Sequence, residues 1–591
     1  MVSWPKTKRA EYYRLFADRM LELVTPTSPS AYRVHALSTP SKFKELGVNA
    51  NKVLERSIPK VTLDPIISEV NEAIQVDPVV KEALREKSLQ PETLIVLNTQ
   101  TTEDIFHRVQ TFISLVGKGY KDKCEQLIIS ECNENGSKSK LLILAKLYVA
   151  ELISLGFHRE YISYAVRKVF HTRDISKCTP GLIRNLFRFF LTDKERNFTL
   201  LYAASPDSSS YISKILSLRE SGTIKDLDTR LQPHAEKYFS SHEGCYVTIP
   251  DNPSLDPFSA VGSIEKYLAL PGAFLSLFPF EISHNIENKC LVHTKDVKEV
   301  FQVDRSKINS PISERFLSKE ESEKFSRGCM LLLGRLLMEN RSDGHRLLRS
   351  LNAVGLARNT KDTESQVVTL WSAFEALLPE PTKDEKSTAR IVHFCDLVLP
   401  SLTRKFFIKK LTAFNFVLEE RFGEKYNHFM VEEFGDRSKE KNLFELFYST
   451  ESIKQKFCNL ISDSPLFLHR AYELEKLFNN PGVMLKKFDT HNARVKSHLH
   501  RIYRERNDIV HSGDRSSFCG SLAENALSYY TTVLKDLMNC FEQHGVMNIY
   551  SSLQVINSIQ KNSYQSLKTA DHQKTKEDEK KALLLDAIFT A

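Results

Sequence analysis

The strongest constraint on the fold is that apolar residues recur at helical spacing along most of the chain. One such stripe comprises Leu141, Leu144, Leu147, Tyr148, Leu152 and Leu155, and similar stripes recur between residues 331 and 541. Glycine and proline, which are costly inside helices, account for 42 of the 591 residues. That is about 7%, against a usual share near 12%. The pattern predicts a mainly α-helical protein and argues against collagen, low-complexity polymers and turn-rich β-sandwiches.

The pattern of apolar and polar residues changes twice along the chain. Residues from about 10 to 190 predict successive helices, with loop signals at 133–137 and at the serine-rich 205–210. Two short segments, 245–249 and 300–303, have the composition of strands and indicate a small mixed α/β junction. We therefore expect four parts: an N-terminal helical domain over 1–235, the junction over 236–320, a C-terminal helical bundle over 321–546 and a C-terminal tail over 547–591. The charged run at 574–581 within the tail is expected to be solvated.

Composition narrows the class of protein. Lysine and arginine exceed aspartate and glutamate by 8, which permits an anionic partner such as RNA without demanding one. The ten cysteines include no C-x-x-C pair, so we expect reduced thiols and no structural zinc site. The first residues lack the apolar core of a signal peptide, and the apolar run 141–155 is interrupted by Lys146 and Glu151. These features predict a cytoplasmic protein without membrane association.

Several common catalytic motifs are missing from the sequence. It contains no G-x-x-x-x-G-K-[ST] phosphate loop, no H-E-x-x-H, no G-x-S-x-G and no kinase signature. The ATPases, zinc proteases, α/β-hydrolases and kinases that carry these motifs are therefore disfavoured.

One polar segment, 501–513, lies late in the helical region on a helix that Gly513 is expected to end. Within it Arg506 is followed at once by Asn507 and, after four intervening residues, by His511. The segment resembles the R-x4-6-H motif of HEPN ribonucleases, particularly the Apea-like group, and 370–378 (LWSAFEALL) resembles the first helix of that group. The resemblance covers about the C-terminal two-fifths of the chain and extends to nothing in the N-terminal half.

The resemblance implies a metal-independent endoribonuclease with Arg506 and His511 as catalytic residues. RNA carries its own nucleophile, the 2′-hydroxyl, so cleavage requires a group that moves protons near neutral pH and a cation for the phosphate. Histidine and arginine suit these two roles. The implied products carry a 2′,3′-cyclic phosphate and a 5′-hydroxyl, and no metal or cofactor is implied. Substrate-binding or supporting roles are expected for Asn507, Arg504 and Glu375. Arg504 could bind the RNA through its charge, and Glu375 is expected to be a partner of the motif arginine.

Helical geometry adds a constraint on this pair. Five residues at about 100° each separate Arg506 and His511 by roughly 140° around a straight helix and about 7.5 Å along it. Both cannot face one phosphate from an undistorted helix, so either the helix loosens near Ser512 and Gly513 or two copies of the chain pool their motifs. HEPN ribonucleases form a composite site across a dimer, and the resemblance therefore implies a homodimer.

Each of these residues also has a purely structural interpretation. Arg506 could pair with an acid at the edge of the core, His511 could be a helix cap, and Glu375 could be a solvated carboxylate. The looser spacing is also met by Arg504 with His511 and by Arg494 with His500. A nucleotidyl-modifying toxin of the R-x4-H-x-Y type is disfavoured, because no tyrosine follows His511 at the matching place.

Apea-like proteins are associated with anti-phage defence by abortive infection. The resemblance thus implies an RNA-cleaving effector, with tRNA among the candidate substrates. The N-terminal half would sense a phage-derived trigger or a defence-system partner protein and restrain the nuclease meanwhile. Two alternatives remain open: a non-catalytic HEPN scaffold that binds nucleotides or proteins, and a nuclease subunit whose RNA is delivered by a partner ATPase or a CRISPR-like complex.

Overall fold

The helical class predicted from the sequence is confirmed. The computed structural model describes residues 4–25, 37–172, 174–175, 177–192, 195–215, 231–239, 245–275, 286–294, 297–308, 319–360, 362–378, 387–546, 548–572 and 577–589. Over these ranges the chain is mainly α-helical, with a single four-stranded sheet. None of the helices in these ranges is both long and apolar enough to cross a membrane.

Nine described helices form the N-terminal domain. They are α1 (Lys8–Val24), α2 (Thr39–Leu54), α3 (Asp64–Val76), α4 (Pro78–Arg85), α5 (Thr102–Leu115), α6 (Tyr120–Glu131), α7 (Lys138–Ser154), α8 (Arg159–Phe170) and α9 (Pro180–Phe187). The loop predicted at 133–137 is present, and its Ser137 caps α7 by accepting from the Lys140 amide. Buried Asp77 caps α4 and accepts hydrogen bonds from Thr39 and Tyr120, at 2.5 and 2.7 Å. One carboxylate thus ties α2, α4 and α6 together.

An antiparallel sheet with strand order β2-β1-β3-β4 follows the N-terminal helices. Its elements are β1 (Arg196–Ala204), α10 (Pro206–Ile215), α11 (Gln232–Tyr238), β2 (Cys245–Ser254), α12 (Pro257–Leu275), β3 (Ile286–Thr294) and β4 (Val297–Asp304). Helices α10 and α12 cover one face of the sheet and α11 covers the other. The strands predicted at 245–249 and 300–303 are confirmed. However, β1 lies within the range predicted for the helical domain, so the mixed unit begins before residue 236.

The loop predicted at 205–210 is wrong, because α10 begins at Pro206. The Ser205 hydroxyl accepts from the Ser208 amide at 3.4 Å, and proline occupies the first helical position. Serine before proline is a helix N-terminus signal as well as a loop signal. The same residues that indicated a loop therefore start a helix.

Thirteen described helices form the C-terminal bundle. They are α13 (Lys319–Glu339), α14 (Arg341–Asn359), α15 (Thr363–Leu377), α16 (Ser387–Thr403), α17 (Phe406–Phe422), α18 (Glu424–Phe434), α19 (Lys439–Leu446), α20 (Glu451–Leu460), α21 (Pro465–Phe478), α22 (Pro481–Ser512), α23 (Cys519–His544), α24 (Ile549–His572) and α25 (Glu577–Phe589). The bundle has two hydrophobic cores. The 32-residue α22 spans both, with Met484 and Phe488 in one core and Leu499 and Ile502 in the other.

The separate C-terminal tail predicted over 547–591 is wrong for the described part of that segment, which is helical and packs on the bundle. Helix α24 buries Leu553 and Ile556 in one core of the bundle, and α25 buries Leu584 and Ile588 in the other. The charged run near 574–581 suggested a solvated segment, but the apolar residues that follow it let the helix bury one side. Residues 573–576 lie outside the described ranges.

Close packing of α13 against α14 depends on Gly344. A Cβ atom there would lie 2.7–2.8 Å from backbone and side-chain atoms of Leu337, closer than van der Waals contact allows. We expect Gly344→Ala to lower the free energy of unfolding by about 1–3 kcal/mol, as overpacking does. Urea unfolding of the full chain, followed by fluorescence of Trp371 on the neighbouring α15, measures the change.

Gly355 on the same helix provides the matched control. Apart from its chain neighbours and the backbone of its own helix, no atom of the described residues lies within 4 Å of the position that a Cβ atom would take there. Gly355→Ala should therefore stabilise the chain by about 0.5–1 kcal/mol through helix propensity alone. Equal unfolding midpoints for the Gly344→Ala variant and the wild type would contradict the close approach.

Candidate active site

Helix α22 carries the motif and is regular throughout. It starts where Asn480 Oδ1 accepts from the Val483 amide at 3.1 Å, with Pro481 at the first helical position. It ends where Gly513 adopts the left-handed conformation (φ 70°) and its amide donates to the Ile509 carbonyl at 3.1 Å. Because the helix stays regular through Ser512, the alternative in which it loosens around the motif is wrong.

Arg506 is held by two neighbours. Its Nη1 donates to Asn507 Oδ1 at 3.0 Å, and its Nη2 lies 3.8 Å from Glu375 Oε2 on α15. The side chain is 25% exposed, and its Nε–H is buried without a hydrogen-bond partner in the described part of the chain. Three of the sequence-predicted site residues therefore come together, and the guanidinium keeps spare donors.

Trp371 positions Glu375. Its Nε1 donates to Glu375 Oε1 at 2.9 Å, which is a contact between residues one helical turn apart. The indole is buried and packs on Phe394 and Tyr503, with ring centroids 4.5 and 5.3 Å apart. Tyr503 is therefore part of the core edge. Trp371 belongs to the segment that resembles the HEPN first helix, but its role in orienting a carboxylate required the structure.

His511 lies apart from Arg506. It is exposed in the last turn of α22, and the regular helix places it about 7.5 Å along the axis and about 140° around it from Arg506. Arg506 faces α15, whereas His511 follows the side of α22 that carries Asp508, one turn earlier. Within one chain the structure does not bring the two predicted catalytic residues together.

Arg504 has a different partner from the one predicted. Its Nη2 donates to Glu45 Oε1 of α2 at 2.6 Å, and its side chain is only 14% exposed. Because its side chain is mostly buried and paired with Glu45, Arg504 does not have the accessible guanidinium that the expected contact with RNA requires. Arg504 instead joins the C-terminal bundle to the N-terminal domain.

Sequence reasoning missed the residue at the centre of this junction, Arg501. It is 2% exposed, and its Nη2 lies 2.9 Å from Glu45 Oε2 and 2.6 Å from Glu69 Oε2. We call Glu45, Glu69, Arg501 and Arg504 the interdomain clamp. Burial alone would raise the pKa of Glu45 and Glu69, but the arginines outweigh it and hold both pKa values below the usual range.

The contact between domains continues toward the motif. Lys52 Nζ on α2 lies 2.5 Å from Asp508 Oδ1, and Asp508 is one helical turn before His511. Further along, Arg159 on α8 pairs with Glu524 on α23 at 2.5 Å. One side of α22 is therefore lined by the N-terminal domain up to the turn that carries His511.

The described residues contain neither a disulfide nor a cluster suited to a metal ion. All ten cysteines are free thiols. Within the described ranges no cluster of three or more His, Cys, Asp or Glu side chains is arranged to hold a metal ion.

Comparison with protein-family models, with curated proteins and with solved structures finds no match.

Proposed function

We propose that the chain is a metal-independent endoribonuclease that acts as a homodimer, with Arg506 and His511 as its catalytic pair. The observation that supports this is the arrangement at the end of α22. Arg506 is oriented by Asn507 and Glu375 and keeps unused donors, while His511 is exposed one and a half turns further on. A cation and an imidazole near one helix end are the groups that RNA cleavage through the 2′-hydroxyl requires.

The separate roles of Arg506 and His511 follow from the chemistry of their side chains. Arg506 binds the non-bridging oxygens of the scissile phosphate, since its planar fork matches their geometry. His511 transfers a proton at the 2′-oxygen or the departing 5′-oxygen. Asn507 and Glu375 are positioning residues that fix the guanidinium. Because Arg506 and His511 project about 140° apart, each site takes one of them from each subunit.

The N-terminal domain is proposed to act as the sensor of an anti-phage defence protein. It lies along the same side of α22 as His511, held by the interdomain clamp and by Lys52 with Asp508. Recognition of a phage-derived trigger or a defence partner by this domain would change its contacts with α22. A second subunit or an RNA could then approach His511.

The test is RNA cleavage by the purified full chain. We expect incubation with total tRNA in EDTA, alone or with extract of phage-infected cells as a source of trigger, to generate new 5′-hydroxyl ends. Such ends accept labelled phosphate from polynucleotide kinase without prior phosphatase treatment. Cleavage that requires Mg²⁺ and leaves 5′-phosphates would contradict the proposed chemistry.

A second candidate function is a non-catalytic scaffold. It is favoured by one observation: within a chain Arg506 and His511 project from different sides of α22, and Arg504 is paired with Glu45. The scaffold predicts that no 5′-hydroxyl ends appear in either condition, while the chain still binds its defence partner.

A further inference from the structure

A large cavity lies between the N-terminal domain and the C-terminal bundle, away from the motif. It has a volume of about 1100 Å³ and is walled by α1, α17, α21 and the first turns of α22. Each helix contributes one side: Lys410, Phe414, Val417 and Arg421 on α17, for example, recur every three to four residues. Lys487, where α22 meets the cavity, is 19 residues before Arg506, or about 28 Å along the helix. The cavity is therefore distinct from the candidate active site.

The middle of the cavity combines apolar and aromatic side chains with the ion pair of Arg470 and Glu22. Its walls include Leu21, Phe414, Phe467 and Leu474. The Phe414 and Phe467 rings meet edge to face, with centroids 6.3 Å apart. Aromatic walls of this kind receive flat ring systems. The volume is slightly above the usual range for small-molecule sites, which are common at domain interfaces.

One end of the cavity carries excess positive charge. Three arginines that line the cavity already form ion pairs with carboxylates. Arg470 pairs with Glu22 at 2.9 Å and with Glu473 at 3.2 Å. Arg421 pairs with Asp463 at 3.2 Å, and Arg14 lies 3.8 Å from Asp18. Lys410, Lys476 and Lys487 also line it, so six basic and four acidic side chains line the cavity in all. Lys476 and Lys487 form no ion pair among the described residues. Both lie where α21 ends and α22 begins, so the surplus charge is concentrated there.

The opposite end offers hydrogen-bonding groups. His171 Nε2 is buried, makes no hydrogen bond with the described residues and lies 3.8 Å from Asp18 Oδ1. Burial raises the pKa of Asp18 to about 6 despite the neighbouring Arg14 and Arg421. Along α21 the cavity thus passes from a polar corner near Asp463, through the aromatic middle, to the two lysines, over about 20 Å.

We propose that this cavity is a binding site for a nucleotide. A base would contact Phe414 and Phe467 with its polar edge toward Asp18 and His171, and its phosphates would meet Lys476 and Lys487. The cavity is built jointly by the N-terminal domain and the bundle, so a bound nucleotide contacts both. The inference does not depend on the nuclease activity proposed above, and its test does not measure RNA cleavage.

The experiment is calorimetric titration of the full chain with ATP, GTP, CTP and UTP separately. We expect at least one of them to bind more tightly than both its own nucleoside and inorganic tripolyphosphate, because the site uses ring and phosphate contacts together. Binding should also change the fluorescence of Trp4, which lines the cavity, while Trp4→Phe removes the signal and retains the heat. No heat from any of the four at about 1 mM, or equal binding of tripolyphosphate, overturns the proposal.

Charge reversal at the cavity localises the binding. The double variant Lys476→Glu, Lys487→Glu should weaken binding of that nucleotide at least tenfold. Lys486 is exposed like Lys476 and Lys487 but lies outside the cavity lining, so Lys486→Glu is the matched control and should stay within twofold of the wild type. His511→Ala should likewise retain the affinity. Binding that survives the double reversal, or that is lost with His511→Ala, places the nucleotide elsewhere and overturns the proposal.

Discussion

Replacing His511 by alanine is expected to reduce RNA cleavage by about 10²–10⁴-fold, and replacing Arg506 by alanine by about 10²–10³-fold. The first range is the usual contribution of a proton-transferring side chain, and the second is that of a positioned donor to a charged transition state. Both variants should retain the thermal unfolding midpoint of the wild type within a few degrees, because His511 is exposed and the Glu375 pair of Arg506 is loose at 3.8 Å. The assay is the rate of appearance of 5′-hydroxyl ends in EDTA.

His544 is a closely matched control for His511. It is also exposed in the last turn of a long helix, α23, and is followed by a glycine in the left-handed conformation, Gly545. If His511 acted only as a helix cap, His511→Ala and His544→Ala would have equally small effects on cleavage. Arg515, half-exposed and paired with Glu364 at 3.4 Å, serves in the same way for Arg506. Cleavage by His511→Ala protein at the wild-type rate removes that residue from the mechanism.

Mixing the two inactive variants tests whether the site is shared between subunits. In a symmetric dimer with Arg506 from one subunit and His511 from the other, a heterodimer of Arg506→Ala and His511→Ala contains one intact site and one doubly defective site. Random assortment of equal amounts makes half the dimers mixed, so activity should recover to about a quarter of the wild-type level. A site contained within one chain predicts no recovery at all.

Local sequence patterns were sufficient for much of the fold. Helical spacing of apolar residues predicted the helices, and Gly513 was correctly predicted to end α22. Failures occurred where one local signal has two meanings. The serine-rich segment after Ser205 starts a helix, and β1 was missed because a strand buried on both faces is an almost continuous apolar run, which periodicity cannot distinguish from a buried helix.

Some contacts of the candidate site could likewise be predicted from the sequence, and others could not. The contact of Glu375 with Arg506 joins two segments that the HEPN resemblance had already paired, and so it was expected. The partners of Arg501 and Arg504 could not be predicted, since Glu45 lies 456 and 459 residues away in the sequence. No periodicity or motif specifies a pairing between domains. Arg501 and Arg504 differ from solvated arginines only after the chain has folded.

The interdomain clamp supports the second large prediction. Arg501→Met should lower the free energy of unfolding by about 3–5 kcal/mol, because Glu45 and Glu69 would stay buried with their main partner removed. The control is Arg494→Met on the same helix. Arg494 pairs with Glu72 at 2.8 Å across the same junction, but both side chains are substantially exposed, so its loss should cost less than about 1 kcal/mol. Urea unfolding of the full chain measures both, and similar costs for the two variants would show that the clamp is not specially buried in solution.

Neutralising the carboxylates shows how much of the stability lost in Arg501→Met comes from leaving Glu45 and Glu69 charged and buried without that arginine. The quadruple variant Glu45→Gln, Glu69→Gln, Arg501→Met, Arg504→Met should recover most of the stability lost in Arg501→Met. Arg504 is included because it would otherwise lose its partner Glu45, and no uncompensated charge of the clamp then remains. Lowering the pH should also reduce the difference in stability between Arg501→Met and the wild type. The pKa values of Glu45 and Glu69 are lowered in the folded protein, so the unfolded chain binds protons first as the pH falls. The clamp therefore stabilises the wild type at neutral pH and loses that contribution progressively below about pH 4. In Arg501→Met the two carboxylates lack that cation and take up protons more readily when folded, so its deficit relative to the wild type should shrink over the same range. A deficit that stays constant down to pH 3 would mean that the arginine stabilises the junction by packing alone.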